Sequence, residues 1–339
     1  MGDDVRSSVP DPLLIALDAG QSGSRGRVLS GLTPTSGVLG EYALDAVLTN
    51  QPLLPQLARR TAEILDLVRR DGVAAATPAV LAVGSTGLAT GDEAADLLRL
   101  VEPYGVTRVA LAHDAVTCHV GALGGRPGAV VAAGTGVVTL AVGADSWARV
   151  DGWGHTLGDA GSGFWIGRAG LRAVLRAFDG RGPATALTPI VQADFPDLQD
   201  AYLEVQRDPD WVRHVASYAR TVCELASRDG VCAAIVRRAA SSLALSAVTA
   251  LTRVGADAAG QRPVVSPTGK LFEASLLADQ FVAGVRDRLP RARFAAPAGT
   301  ALDGAAALFS LPAQHPLSGQ VRLAPGPAAR RPSPAVPPH

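Results

Sequence analysis

The sequence has little of what several protein classes require. It holds three cysteines, Cys118, Cys223 and Cys232, odd in number and in no C-x-x-C pair. They suit reduced, buried thiols better than a disulfide framework or a zinc site. Lysine is almost missing, Lys270 being the single one, and the formal net charge is zero. With no basic run before the extreme C-terminus, a nucleic-acid partner has no electrostatic footprint. No apolar stretch approaches the roughly 20 residues of a membrane helix, so no membrane partner is expected. The opening MGDDVRSSVPDP lacks the apolar segment of a secretion signal, which makes the cytoplasm the expected location.

What is present is apolar material in quantity. Nearly half of the 339 residues are apolar, enough for two medium lobes with a core each. Leu13–Asp18 reads as a buried strand entering the glycine-rich AGQSG, and Arg25–Leu29 as its return. Leu53–Arg70 has apolar residues at helical spacing and stops at Asp71-Gly72. Ala79–Val83 is a strand, residues 92–100 a helix, and Arg108–Ala112 a strand. The opening theme then recurs. Ala129–Ala133 runs into GTG, with Val137–Val142 returning, so strand, glycine turn and strand occur twice. That repetition predicts two related lobes, each with a mixed sheet and helices.

Further on, Ser162 to Phe178 reads as a helix, and alanine-rich helices fill 184–252. A strand at Pro263–Ser266, a helix over 270–288 and a last helix at Ala301–Phe309 complete an α/β pattern. The expected organisation is a disordered leader at 1–11, an N-terminal lobe at 12–113 and a C-terminal lobe at 114–298. A helix at 299–311 packs back on the N-terminal lobe, and a disordered proline-rich tail occupies 312–339.

Three segments carry chemistry. In DAGQSGSRGR (Asp18–Arg27) small residues let backbone N–H groups approach a phosphate, and Ser22 and Ser24 add hydroxyl donors. Asp18 is a hard oxygen ligand suited to Mg²⁺. An ordinary hairpin with a satisfied aspartate fits the same residues. AAGTGVV (Ala132–Val138) is a second such turn, and together the two favour a nucleotide held by its phosphates. Neither is a G-x-x-x-x-G-K-[ST] loop or a G-x-G-x-x-G fingerprint, so those readings are set aside. Asp114, at a strand end, suits either a proton acceptor for a substrate hydroxyl or an N-cap for the helix from Ala115.

GWGHTLGDAGSGFWIGR (Gly152–Arg168) is the third. Its glycines allow close backbone approach, and the helix starting near Ser162 is expected to offer free N–H groups. Asp159 is the acid expected on sugar hydroxyls. His155 reads as structural, and Trp153 and Trp165 as packing.

In this order the segments resemble the N-acetylglucosamine kinase and BadF/BadG-type ATPase family of the actin–hexokinase–heat-shock superfamily, over about residues 13–310. Gly152–Arg168 looks like the family's G-G-W-G-x-x-x-G-D-E-G-S block, DAGQSGSR like its first phosphate loop, and AGTG (133–136) like its second. HDA (113–115) looks like its N-D-A, LTNQP around Asn50 like T-N-H-W, and Gly269 with Phe272 like the adenosine segment G-G-V-F. The resemblance implies a two-lobed actin/hexokinase-like (ribonuclease H-like) α/β fold with a duplicated mixed-sheet domain and an interlobe cleft. It implies ATP and Mg²⁺ as cofactors and Asp114 as the catalytic base.

By the same resemblance, Asp18, Gly20, Gln21, Ser22, Gly23, Ser24 and Arg25 serve the phosphates, with Asp18 on the metal. Gly134, Thr135 and Gly136 act from the second turn, and Gly269 and Lys270 near the nucleoside. Asn50, Asp114, Thr135, Gly152, Trp153, Gly154, Asp159 and Ser162 fall to the sugar. A homodimer is expected. The chain departs from the pattern at Ala19 and Ser22 in place of glycine and threonine, at Ala160 in place of an acid, and at Thr268 in place of glycine.

The function so implied is transfer of the γ-phosphate of ATP to the 6-hydroxyl of an N-acetylhexosamine, N-acetylglucosamine first. Glucosamine, N-acetylmuramate or another amino sugar are alternatives. Two readings of other classes are an ATPase subunit driving a redox partner and a sugar-binding regulator without catalysis. The cysteines show no cluster-holding arrangement, and both Asp18 and Asp114 are kept, which favours the kinase.

Overall fold

A computed structural model describes residues 12–73, 78–258 and 260–324. The chain divides into two compact units. The first takes residues up to Gly121 and from Gly299 onward, the second Ala122–Ala298. The expected leader at 1–11 and residues 325–339 lie outside the described residues.

In the first unit β1 (Leu13–Gly20), β2 (Gly23–Leu29) and β3 (Val38–Leu44) form an antiparallel meander. Helix α1 (Leu53–Arg70) leads to β4 (Ala79–Ser85), parallel to β1. Helix α2 (Ala94–Val101) leads to β5 (Val106–His113), parallel to β4, and α3 (Asp114–Leu123) follows. LLIAL and AVLAV are buried on both faces, as central parallel strands require. Leu13, Ile15 and Leu17 share one core with Leu57, Ile64 and Val68 of α1 and Leu97 and Val101 of α2. By the alternation of a strand, Leu14 and Ala16 face the other way.

The second unit repeats the plan. β6 (Gly128–Ala133), β7 (Val137–Val142) and β8 (Trp147–Val150) form an antiparallel meander. Next come the single turn α4 (Gly154–Leu157) and α5 (Gly163–Phe178), α6 (Thr188–Asp194), α7 (Ala201–Arg207), α8 (Trp211–Leu225) and α9 (Gly230–Arg253). β9 (Val264–Thr268) pairs parallel with β6. Helix α10 (Ser275–Arg288) leads to β10 (Arg293–Phe294), parallel to β9. The expected helix over 270–288 is interrupted: Lys270–Glu273 is a 3-10 turn, and extended Ala274 separates it from α10.

The chain then returns to the first unit as α11 (Ala301–Ala306), packed on β1 and β4, and β11 (Arg322–Ala324), antiparallel to β5. The two sheets read β3-β2-β1-β4-β5-β11 and β8-β7-β6-β9-β10. Apart from the added β11 they have one strand order and one set of directions, so the duplicated mixed-sheet plan holds.

Three expectations are corrected. First, the tail does not begin at 312. A 3-10 turn at Ser318–Gln320 and β11 lie there, Leu317 is fully buried, and Arg322 donates to the Ala89 carbonyl at 2.8 Å. The open edge of β5 supplies pairing that a proline-rich composition does not reveal. Second, the units divide after Gly121, not at 114. Helix α3 belongs mainly with the first unit because Thr117 presses on Gly84 of β4 and on Gly304 of α11. Third, α9 is long and apolar enough to cross a membrane, by length and composition only. More than half of it is buried, and Ile235, Val236, Leu243 and Leu251 lie in the second unit's core.

Candidate active site

The first unit places its chemistry at the ends of β1 and β5. Asp18 pairs across the sheet with Arg25 on β2 and with Gly84 on β4. Its carboxyl is pushed up to about 6, first by burial, then by the nearby Asp114 charge, with Arg25 opposing. Asp114 opens α3 straight from β5. Its Oδ1 is buried and has no hydrogen-bond donor, although it lies 2.7 Å from His113 Nδ1. The same nitrogen lies 3.2 Å from the Ala115 N–H, so it either accepts from that amide or, in the tautomer with its proton on Nδ1, donates to Asp114. Asp114 Oδ1 is thus an acceptor that has His113 within reach and no donor assigned to it. Cys118, one helical turn on, is held as a thiol, its titration raised to about 12 by burial and then by Asp114 and Asp18.

The hairpin turn is anchored from outside. Gly20 O accepts from Val47 N at 3.1 Å, and Ala19 O from Thr86 N at 3.0 Å. Gln21 donates to Thr49 Oγ1 at 3.2 Å, beside the exposed Asn50. Gln56 fixes that neighbouring loop. Its amide accepts from Leu48 N at 2.8 Å and donates to the carbonyls of Leu48 at 2.9 Å and Pro52 at 3.0 Å. Ser22, Gly23 and Arg25 are exposed, whereas Ser24 is buried with an unpartnered Oγ. Ser24 thus packs under the turn and its hydroxyl does not reach outward.

The second unit is organised otherwise. In its glycine turn, Gly134 N donates to Gly136 O at 2.9 Å. Gly134 O and Thr135 O accept from Gly163 N (2.8 Å) and Phe164 N (3.0 Å), the first N–H groups of α5. Ser162, wholly buried, caps the same helix by accepting from Trp165 N at 3.1 Å. The expected free N–H groups at this helix start are therefore taken, and Ser162 is a capping residue with no exposed surface for a sugar. The turn and α5 hold one another.

The loop from 151 to 161 is built around an acid that sequence reasoning missed. Asp151 Oδ1 accepts from Gly152 N at 2.8 Å and Asp159 N at 2.7 Å, and its Oδ2 from Ala160 N at 2.9 Å. Asp151 and Asp159 have φ of 58° and 59°, the two non-glycine residues with positive φ among those described. Such strain persists where surroundings over-determine it and concentrates at functional sites. The one sequence signal was an aspartate directly before a glycine, a pair tolerant of this conformation. Asp159 is 7% exposed, accepts from Gly154 N at 3.1 Å, and leaves no room for a side chain at Gly136. Asp159 thereby ties the loop to the glycine turn. Trp153 stands out at 58% exposure with the Arg149 guanidinium 4.6 Å from its ring centre, while His155 packs on Phe164 and Trp211 at 5.0 and 5.1 Å. Gly269 has φ 101°, and a Cβ there would strike the Ala133 carbonyl, so only glycine fits beside the end of β6. Lys270 follows it, exposed.

The first unit thus gathers Asp18, Gly20, Gln21, Asn50 and Asp114. The second gathers Gly134, Thr135, Gly136, Gly152, Gly154, Asp159 and Gly269. Among the described residues no group of three or more His, Cys, Asp or Glu could hold a metal. A lone Asp18 fits Mg²⁺ that arrives largely coordinated by phosphate and water, the usual mode of that ion.

The sequence profile described as the BadF/BadG/BcrA/BcrD ATPase family matches residues 59–309. An N-acetylmuramic acid/N-acetylglucosamine kinase from Clostridium acetobutylicum is 28% identical over 149 residues, 43% of this chain and 46% of that protein. The chain spans about half the length of the curated relatives it matches. A Chromobacterium violaceum structure with a provisional N-acetylglucosamine kinase name aligns with a TM-score of 0.70 at 26% identity. The alignment covers 88% of this chain and 98% of that one. The Schistosoma mansoni hexokinase bound to glucose shares the fold alone, with a TM-score of 0.52 at 14% identity and coverage of 88% and 86%. The fold is actin/hexokinase-like.

Proposed function

The chain belongs to the BadF/BadG/BcrA/BcrD ATPase family, and from that premise we propose that it is an ATP-dependent amino-sugar kinase. It passes the γ-phosphoryl group to the 6-hydroxyl of an N-acetylhexosamine, N-acetylglucosamine first. The observation that carries this reading is Asp114. A carboxylate at a strand end keeps one oxygen without a donor, beside a second acid whose titration it raises.

In the reaction Asp114 accepts the proton of the attacking hydroxyl, which makes the oxygen a nucleophile as the bond to the leaving ADP breaks. Bound Mg²⁺ supplies charge neutralisation on the phosphates. Asp18 takes its side of that ion, and the first hairpin offers backbone N–H groups to the phosphates. The second turn, held by α5, offers Gly134–Gly136, while Gly269 and Lys270 lie toward the nucleoside. Asn50 and the loop of Gly152, Trp153, Gly154 and Asp159 recognise the sugar, Asp159 chiefly by holding that loop's backbone. The cytoplasm is the location this chemistry expects, and a homodimer the assembly.

ADP release with ATP-Mg²⁺ over a panel of amino sugars tests the reading. Strong stimulation by one N-acetylated sugar is the expected result. Steady release without sugar would instead make the protein an ATPase.

A further inference from the structure

Away from these residues the second unit has a cavity of about 870 Å³ between α5, residues 182–184 and the start of α9. Five arginines line it: Arg168, Arg172 and Arg176 from α5, Arg228 before α9, and Arg238 on α9. All five are exposed. In a chain of net charge zero this is a concentration of one sign. None makes a salt bridge to a carboxylate among the described residues.

The acids nearby are occupied. Asp229, in the lining, is buried and accepts from Cys232 N at 2.8 Å, Ala186 N at 2.6 Å and Thr185 Oγ1 at 2.9 Å. Asp179, past the end of α5, takes the Arg181 Nε at 2.8 Å. Three of the arginines have other holds: Arg168 lies 5.5 Å from the Phe164 ring centre and Arg238 5.4 Å from that of Trp165, and Arg176 donates to the Arg181 carbonyl at 3.1 Å.

The spacing is informative. Positions 168, 172 and 176 stack like charges at successive i, i+4 steps, a mildly unfavourable row for a helix that an anion lying over it would turn favourable. At about 1.5 Å per residue the row spans about 12 Å along α5. Arg228 and Arg238 face it from the other wall. Guanidinium groups on two walls of one cavity are the arrangement that grips phosphoryl groups at both ends of a small molecule. The same face on a second copy would bring like charges together, so self-association does not explain it.

We propose that this cavity is an anion site for a sugar-sized metabolite carrying two phosphoryl groups, separate from the residues assigned to nucleotide and sugar. The inference does not rest on the kinase reading. It gives α5 two tasks, since the first turn of that helix holds the Gly134–Thr135 carbonyls while its middle turns hold the anion.

Isothermal titration with fructose 1,6-bisphosphate, fructose 6-phosphate and inorganic phosphate, at matched ionic strength, tests it. The bisphosphate is expected to bind at least about tenfold more tightly than either monoanchored ligand, the worth of one added charge-assisted pair. Arg172→Ala/Arg228→Ala should weaken it by a further factor of about ten or more. Arg213→Ala, at an exposed arginine paired with Asp210, should leave it unchanged. Single Arg172→Gln and Arg228→Gln chains repeat the test should the double variant fold poorly. Equal binding of all three ligands, or bisphosphate binding untouched by every arginine change, overturns the proposal.

Discussion

The two glycine hairpins stand at the same place in sheets of the same strand order, yet they are finished in opposite ways. The β1–β2 turn is charged and incompletely satisfied. Asp18 titrates near 6, and buried Ser24 Oγ and Asp114 Oδ1 have no donors. The β6–β7 turn bears no acid, and its carbonyls are closed by the first N–H groups of α5. An unsatisfied buried polar group costs about 1–3 kcal/mol, so a fold keeps one where something else makes use of it. The second unit also buries unpartnered hydroxyls, Thr139 Oγ1 and Ser266 Oγ, but along its strands β7 and β9 and with no acid beside them. On the proposed reading the first unit holds the reacting groups and the second frames the ligand. Duplication supplied one scaffold, and the side chains divided the labour.

The largest effect expected from this division is on the charged side. Asp114→Asn should cut turnover by about a hundredfold or more, the usual worth of a general base. It should also lower the pH at which Asp18 titrates, since Asp114 is part of what raises it. That shift is visible as a lower pH midpoint for Mg²⁺-nucleotide binding. Near-normal turnover, with the midpoint unmoved, would erase the distinction between the hairpins.

On the framed side the comparable change is Asp151→Ala. It strands three backbone N–H groups at Gly152, Asp159 and Ala160, a loss of about 2–4 kcal/mol. Urea unfolding measures it. A variant as stable as the parent would mean the loop does not depend on its acid.

The sequence exposed the charged side better than the framed one, for physical reasons. Both hairpins were legible because a central strand is an unbroken apolar run and glycine marks its turn. Edge strands were not: β3 is largely exposed, and β11 is three residues with Leu323 61% exposed. Asp18, Asp114 and Asp159 could be proposed because acids near glycine turns are conspicuous. Asp151 could not, because its work is hydrogen bonding to backbone, which leaves no pattern in side-chain type. The N–H groups at the start of α5 were misjudged for the same reason. Which carbonyl approaches a helix end is decided by tertiary contact.

Asp18 gives a middle-sized effect of opposite sign. Its carboxyl titrates at 3.8 when unperturbed and at about 6 in the fold. The folded state holds that proton more tightly than the unfolded chain. The associated stability is fully present below the unfolded value and is lost as pH rises through about 6. Asp18→Asn removes the buried charge and should raise stability at pH 8 by about 1–3 kcal/mol, with the gain shrinking toward acid. The same chain should bind Mg²⁺-ATP poorly. Urea midpoints at pH 4 and pH 8 decide it, and a midpoint at pH 8 that does not rise would show Asp18 to be comfortable as an anion.

The smallest effect separates recognition from framing within the second unit. Ser162 is the residue of the sugar block whose hydroxyl is turned wholly inward, to the Trp165 N–H. Ser162→Ala should therefore cost about 1 kcal/mol, the loss of a helix cap, and leave the KM for sugar unchanged. In the first unit Thr300 caps α11 with a capping box that is exposed, so Thr300→Ala serves as the matched control of similar size. If Ser162→Ala raises the sugar KM while Thr300→Ala does not, the hydroxyl reaches the ligand and the second turn is a recognition element as well. If both lose only stability, the turn's hold on α5 is framing, and sugar contact falls to the loop backbone that Asp151 and Asp159 arrange.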